Sequence, residues 1–297
     1  AVVPAIASQL PDEIEQLTPF DYQSPAQLQE GGVLVVGASA TGMQFADEIS
    51  RAGFDVTIAV SEHVRMPRQY RGRDILFWMD RCGILAEGHE EVEDLTRARR
   101  LPSSQLVGST DKPILDLNCL RAQGVQIAGR LMGINGDQAQ FSGSLNNVCA
   151  LADLKMKRLL SAIDKFVASD RTVPPPETFA DTRLDASPIL MKKLGGDSIR
   201  TVIWATGFRP DYSWLDVPVL DRKGQVEHDG GVVNTPGMYI LGLPMMRTRK
   251  SSFIFGAQDD AFVVTDHLTN YLLEQKRSDA DVVYQDNSRE RSYRRSA

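Results

Sequence analysis

Val33-Leu34-Val35-Val36-Gly37-Ala38-Ser39-Ala40-Thr41-Gly42 is the stretch on which the reading of this chain turns. Four apolar β-formers lead into a turn of small residues. Met43-Gln44-Phe45-Ala46-Asp47-Glu48-Ile49-Ser50-Arg51-Ala52-Gly53 follows, and then Asp55-Val56-Thr57-Ile58-Ala59-Val60. Met43, Ala46 and Ile49 recur every three residues with Phe45 beside them, while Asp47, Glu48 and Arg51 face the other way, which is the pattern of an amphipathic helix. Gly53 ends it, because the position after a helix favours a residue that tolerates positive φ. The order is strand, turn, helix, strand.

That context gives the turn a chemical meaning. Gly37 permits the tight bend, and a small residue at Ser39 lets the backbone approach a pyrophosphate. Gly42 lets helix and strand pack closely, so that the first helical N–H groups, those of Ala40, Thr41 and Gly42, point at the phosphates. A glycine is the usual middle residue; Ser39 keeps the approach and adds a hydroxyl donor. The alternative is a βα turn with a purely structural role. At the end of the second strand an acidic residue would accept from a ribose 2′-hydroxyl, whereas arginine would pair with a 2′-phosphate. Glu62 favours NAD; Ser61, Arg65 and Arg68 favour NADP, and the two guanidinium groups tip the balance to NADPH. The plainer alternative is that Arg65, Arg68, Arg71 and Arg73 solvate a loop.

Outward from this unit, Val92 to Leu101 reads as a helix stopping before Pro102, and Asp116 to Ile134 as a short helix followed by a strand. A longer helix covers about Ala152 to Ala168, with Leu154, Met156, Leu159, Leu160, Ile163 and Phe166 as its buried stripe. Pro174-Pro175-Pro176 excludes helix. Beyond it come a buried-type strand ending in Ala205-Thr206-Gly207, a shorter strand at Met238 to Gly242, and a last helix over about Gln258 to Glu274. Alternating strands and helices imply an α/β protein, a doubly wound, Rossmann-type parallel sheet. The expected division is a connecting segment at 1–30, a nucleotide-binding domain at 31–172, a linker and crossing at 173–200, a further domain at 201–284 and a basic tail at 285–297.

Composition narrows the function. The net charge of −6 argues against a nucleic-acid partner, because neutralising phosphates takes a dominantly basic surface. Cys82, Cys119 and Cys149 are too scattered for a disulfide framework, a CxxC redox centre or a zinc site, which points to a reducing, cytoplasmic setting. No apolar run approaches the roughly 20 residues of a membrane span. His63, His89, His228 and His267 show no metal-ligand spacing, and Gly37-Ala38-Ser39-Ala40-Thr41-Gly42 is one residue too long for a hydrolase nucleophile elbow. No acid–base pair or other catalytic residue stands out. A small-molecule substrate is the expected partner, and nothing speaks to the oligomeric state.

Three segments in this order carry a resemblance: Tyr22 to Pro25 leading into Gly31-Gly32-Val33-Leu34-Val35-Val36-Gly37, then Val64 to Asp74, then Val202-Ile203-Trp204-Ala205-Thr206-Gly207-Phe208-Arg209-Pro210-Asp211-Tyr212. Together they resemble the flavin-containing monooxygenase-like flavoproteins, the family that includes Baeyer–Villiger monooxygenases. The resemblance spans most of the chain. It implies an NADPH domain inserted into an FAD domain, with Ala205, Thr206 and Gly207 marking the return of the chain toward the flavin and Gln258 near it. It also implies hydride transfer from NADPH to FAD. The family places an FAD-binding glycine-rich unit ahead of the NADPH domain, and none precedes Val33; this suggests a fragment of a longer flavoprotein, with a non-catalytic nucleotide-binding module as the alternative. Where the monooxygenase fingerprint has His, four residues before the tyrosine matching Tyr22, this sequence has Thr18. That departure bears on oxygenation and leaves NADPH-dependent flavin reduction untouched.

Overall fold

A computed structural model describes residues 1–108 and 113–293, with side chains described to residue 277. The chain divides into two compact units, one made of residues 1–82 and 101–209 and the other of 83–100 and 210–297.

In the first unit the strands are, in chain order, β1 (Glu15–Leu17), β2 (Gly32–Val36), β3 (Val56–Val60), a hairpin of β4 (Gln69–Tyr70) and β5 (Arg73–Asp74), β6 (Gln126–Gly129), β7 (Leu131–Asn135), β8 (Gln138–Phe141), β9 (Met191–Lys193) and β10 (Ile199–Trp204). Five of these form one parallel sheet in the order β1-β10-β2-β3-β6. The expected α/β parallel sheet is therefore present. Val33 to Val36 and Val56 to Val60 are buried throughout, as strands covered on both faces must be.

The two faces are covered differently. Helix α1 (Ala40–Arg51) lays Met43, Ala46 and Ile49 on one face, as their spacing requires. Helix α4 (Leu117–Ala122) adds Leu117 and Leu120, and α5 (Leu145–Phe166) adds Leu145 and Cys149 from its first turns. The other face holds Leu34, Val36, Ala59, Val202 and Trp204. It packs against Leu131, Ala139 and Phe141 of an antiparallel β7-β8-β9 meander and against Ala7, Leu10 and Ile14 near the N-terminus. The meander and the edge strand β1 are absent from the sequence reading. Residues 1–30, expected as a plain connection, contain both a 3-10 turn at Ala5–Gln9 and strand β1, paired with Thr201 to Ile203. Residues 173–200, expected as a crossing, remain in the first unit and supply β9.

Other elements differ from expectation for identifiable reasons. Val92 to Leu101 forms only one turn, α3 (Leu95–Ala98), opened by the Asp94 side chain accepting from the Arg97 N–H. Met238 to Gly242 forms no ladder; Tyr239 makes a single bridge to Val232. Helix α5 starts seven residues earlier than expected, and its buried stripe is Leu145, Cys149, Ala152, Asp153, Met156, Leu160 and Ile163. Leu154 and Phe166 instead face solvent. A third cluster sits along α5, in which Met156, Leu160 and Ile163 pack on Tyr70, Ile75 and Trp78 of the hairpin and α2 (Ile75–Arg81).

The second unit has its own small core of Val219, Val226 and Val233 near the ladder of β11 (His228–Asp229) and β12 (Val232–Val233). Residues 83–100 join it through backbone bonds from His89 to Arg247 and from Lys250 to Leu85. Its long helix, α6 (Ile254–Tyr293), contains the expected final helix and extends beyond it at both ends. The side chains of the basic tail lie outside the described residues. Among the described residues no helix is long and apolar enough to cross a membrane, and no group of three or more His, Cys, Asp and Glu is placed to hold a metal ion.

The stripe of α5 can be checked directly. Ile163→Ala should cost about 2–4 kcal/mol in chemical denaturation, whereas Leu154→Ala on the same helix should stay within about 0.5 kcal/mol of wild type.

Candidate functional site

Strand β2 ends at Val36 and the chain bends at Gly37, whose φ of +115° suits glycine alone among the common residues. The Gly37 N–H donates to the Ala59 carbonyl at 3.0 Å, which ties the bend to the neighbouring strand. A Cβ at position 37 would sit 2.3 Å from the Ala205 oxygen, and one at Gly42 would sit 1.9 Å from the Gly37 oxygen. Both glycines are therefore required by backbone packing. Helix α1 starts from Ser39, which is extended and makes no side-chain cap bond, and the first intrahelical bond runs from the Met43 N–H to the Ser39 carbonyl. The N–H groups of Ala40, Thr41 and Gly42 precede that bond and have no partner within the helix. This is the donor set of an anion site at the positive end of a helix dipole.

Strand β10 lies beside β2, with Trp204 opposite Val36. Ala205-Thr206-Gly207 thus leaves the sheet next to the glycine turn, and the Ala205 side chain would touch any Cβ at Gly42. The Thr206 hydroxyl donates to the Val2 carbonyl, and the Val2 N–H donates to the Gly207 carbonyl at 2.9 Å. The structure brings Gly37, Ser39, Ala40, Thr41, Gly42, Ala205, Thr206 and Gly207 together at the C-terminal edge of the parallel sheet, where open α/β sheets bind their ligands. Gln258 is exposed on α6 in the second unit.

The arginines behave differently from expectation. Arg65 is buried and bonded on every side: to Asp116 through Nε at 3.2 Å and a terminal nitrogen at 2.6 Å, to Asp153 at 2.6 Å, and to the Ala180 carbonyl at 2.9 Å. Asp116 also caps α4 through the Cys119 N–H, and Asp153 accepts from the Thr182 N–H and hydroxyl. The assignment of Arg65 to a 2′-phosphate is therefore corrected. Its guanidinium is a structural clamp that joins the loop after β3 to α4, α5 and the 180–182 segment, and it has no fork left for a ligand. Arg68 pairs with Asp74 at 2.8 Å across the base of the β4–β5 hairpin, with about a quarter of its side chain exposed. Ser61 follows β3 partly exposed, and its carbonyl is 3.0 Å from His63 Nδ1. Glu62 is paired with Lys155 at 3.0 Å.

Sequence reasoning missed Gln105. Its side chain is 3% exposed, and its Nε2 donates to the Ala38 carbonyl at 2.8 Å, inside the glycine turn. It sits 67 residues from Ala38 in a loop with no periodic pattern, so no local signal pointed to it. Burial also tunes two groups beside the clamp. Desolvation holds the His63 imidazole below its ordinary pKa, against a smaller upward pull from the Ser61 carbonyl and Asp153, and it pushes the Cys149 thiol up to about 12.

No protein-family model matches the chain. It is 29% identical over 276 residues to an uncharacterized CzcO-like oxidoreductase of Geobacillus kaustophilus, covering 91% of this chain and 61% of that protein. The uncharacterized oxidoreductase CzcO of Bacillus subtilis is 25% identical over 260 residues, 87% of this chain and 59% of its own. Among solved structures, a flavin-containing monooxygenase from Stenotrophomonas maltophilia shares the fold with a TM-score of 0.53 at 18% identity, over 92% of this chain and 59% of that one. A double mutant of that monooxygenase gives 0.52. In sequence the chain is similar to these CzcO-like oxidoreductases, and in fold to the flavin-monooxygenase structures. It spans about three-fifths of the length of the curated relatives it matches.

The departure from the monooxygenase fingerprint at Thr18 has a clear local structure. The Thr18 hydroxyl donates to Asp21 at 2.7 Å and helps form the turn that delivers Tyr22 to Glu48 of α1, at 3.1 Å. Tyr22 packs on Phe45, 4.6 Å between centroids.

Two outcomes follow from the clamp. Arg65→Met, which leaves Asp116 and Asp153 buried without their cation, should destabilise the first unit by about 3–5 kcal/mol in urea unfolding, while Arg68→Ala should cost under about 1 kcal/mol. The lowered His63 pKa means that the unfolded chain takes up the proton first as pH falls. Its stability contribution is therefore complete above the unfolded value of about 6.5 and is lost below it. His63→Phe should flatten the stability profile between about pH 6.5 and pH 5, and an unchanged slope there would remove His63 as its source.

Proposed function

We propose that this chain binds a nicotinamide dinucleotide at the Gly37–Gly42 turn and is the NADPH-handling part of a flavin-dependent, monooxygenase-like oxidoreductase. The carrying observation is the Gly42 contact: the Gly37 carbonyl occupies the space of a Cβ at 42, leaving the N–H groups of Ala40, Thr41 and Gly42 as an open backbone cradle at the sheet's C-terminal edge. A cradle of backbone donors at a helix start fits a pyrophosphate, whose charge the helix end favours.

When bound, NADPH supplies a hydride, and the protein's part is to hold and orient it. Ser39 and the three N–H groups would take the pyrophosphate. Ser61 and Arg68 would take the 2′-phosphate, with Arg68 exchanging Asp74 for the ligand; this replaces the Arg65 and Arg68 pair expected from the sequence. Thr206 and Gly207, immediately beside the turn, would set where the nicotinamide end of the ligand runs. A second glycine-rich turn between a parallel strand and a helix is not found among the described residues. The described residues thus supply a cradle for the nicotinamide dinucleotide, the hydride donor of the proposed reaction. The oxidoreductase assignment is supported by the names of the curated relatives and the fold of the monooxygenase neighbours, and a small organic molecule is the proposed substrate class. Thr18 supplies no imidazole, so the proposed activity is NADPH-dependent reduction of flavin.

Calorimetric titration tests it. The wild-type chain should bind NADPH more tightly than NADH; Gly42→Val should abolish both, and Arg68→Ala should weaken NADPH by about ten-fold and NADH by little, since a charge-assisted bond is worth about 1.5–3 kcal/mol. Equal losses for the two cofactors in Arg68→Ala would contradict the 2′-phosphate assignment. No binding of either by wild type would contradict the function itself.

A further inference from the structure

Gln105 is bonded to two loops at once. Its backbone N–H donates to the Val64 carbonyl at 2.9 Å, and Ser104 pairs with Val64 in a parallel bridge. Its side-chain Nε2 donates to the Ala38 carbonyl at 2.8 Å. Ala38 belongs to the turn that would hold the pyrophosphate, and Val64 to the loop after β3 that would hold the adenosine ribose. One residue therefore links the parts of the site proposed for the pyrophosphate and for the adjoining adenosine ribose.

The amide is buried, and its Oε1 has no hydrogen-bond partner among the described residues. An acceptor buried without a partner works against folding, and an apolar side chain of the same length would fill the space without that penalty. What the amide provides in exchange is the bond to Ala38. Neither contact is needed to form the turn, since Gly37 and Gly42 already build it against Ala205 and the first turn of α1. The contacts fix where the turn stands relative to the ribose loop. A rigid ligand that reaches both places gains from that fixed distance, because the entropy of aligning two binding sites is then lost at folding and not at binding.

We infer that Gln105 is a positioning residue for the dinucleotide: it ties the pyrophosphate turn to the ribose loop so that a ligand spanning both is bound as one unit. This rests on the NADPH reading above. It makes a distinction that a merely structural role does not. A ligand touching both loops should depend on the tie, and a fragment touching only the ribose loop should not.

The test uses the full chain with Gln105→Met, which keeps the length and removes both the donor and the unpaired acceptor, and Gln105→Leu, which is shorter, equally uncharged and removes both as well. NADPH and 2′-AMP are titrated against each, with thermal unfolding in parallel. Both variants should bind NADPH about ten-fold more weakly while 2′-AMP affinity stays within about two-fold. Gln105→Met should keep the wild-type melting temperature. NADPH affinity unchanged in both variants would overturn the inference and leave the nucleotide site standing. So would parallel losses for NADPH and 2′-AMP with a lowered melting temperature, which mark a fold-stabilising residue. If Gln105→Met alone fails to fold, Gln105→Leu decides by the same ratio. Wild type that binds no NADPH overturns the nucleotide reading and this inference with it.

Discussion

A side chain at position 42 would begin 1.9 Å from the carbonyl oxygen of Gly37, and one at position 37 would begin 2.3 Å from that of Ala205. These two approaches draw the start of α1, the end of β2 and the exit of β10 into one small volume. The rest of the first unit is arranged around that constraint. With α1 pressed against the bend, Met43, Ala46 and Ile49 can reach the sheet face they bury, and the helix start is left open toward the strand ends. Because β10 runs beside β2, the segment returning from the far end of the unit arrives at the turn as well.

The loop after β3 is held by a different device. Arg65, Asp116 and Asp153 form a buried group of three charges with their hydrogen bonds largely satisfied from Ala180, Cys119 and Thr182. Burying charges costs several kcal/mol per ion, so such a cluster contributes less to stability than its short distances suggest. Its consequence is registration. Removing Arg65 strands both carboxylates, and so α4, α5 and the 180–182 segment are fixed relative to the loop that begins at Ser61. Gln105 then connects that loop to the glycine turn. Charge, amide and glycine packing act in series to hold two loops of one site.

Much of this was legible in the sequence because it is local. The βαβ core follows from apolar spacing and from three glycines within seventeen residues of one another, and each of those signals concerns residues near in the chain. Arg65 was misread for the opposite reason. Arginines after a second strand are chemically apt for a 2′-phosphate, but the partners that take up Arg65 lie 51 and 88 residues away. The edge strand β1 and the β7-β8-β9 meander escaped notice likewise, since Glu15-Gln16-Leu17 gains its strand character from pairing with Thr201 to Ile203, far along the chain. In α5 the apolar residues were counted correctly, but Leu154 and Phe166 share that stretch with the buried stripe without lying on its face; Asp153, a charged residue, holds a buried place because Arg65 is there to meet it.

Amide hydrogen exchange on the whole chain, with and without saturating NADPH, tests the central claim that the glycine turn is a nucleotide site. The account predicts slowed exchange at the amides of Ala40, Thr41 and Gly42 and in the loop from Ser61 to Val64, with no comparable change in the β7-β8-β9 meander on the opposite face of the sheet. Exchange at Ala40, Thr41 and Gly42 that NADPH leaves unaltered, or protection confined to residues away from the C-terminal edge of the parallel sheet, would contradict it.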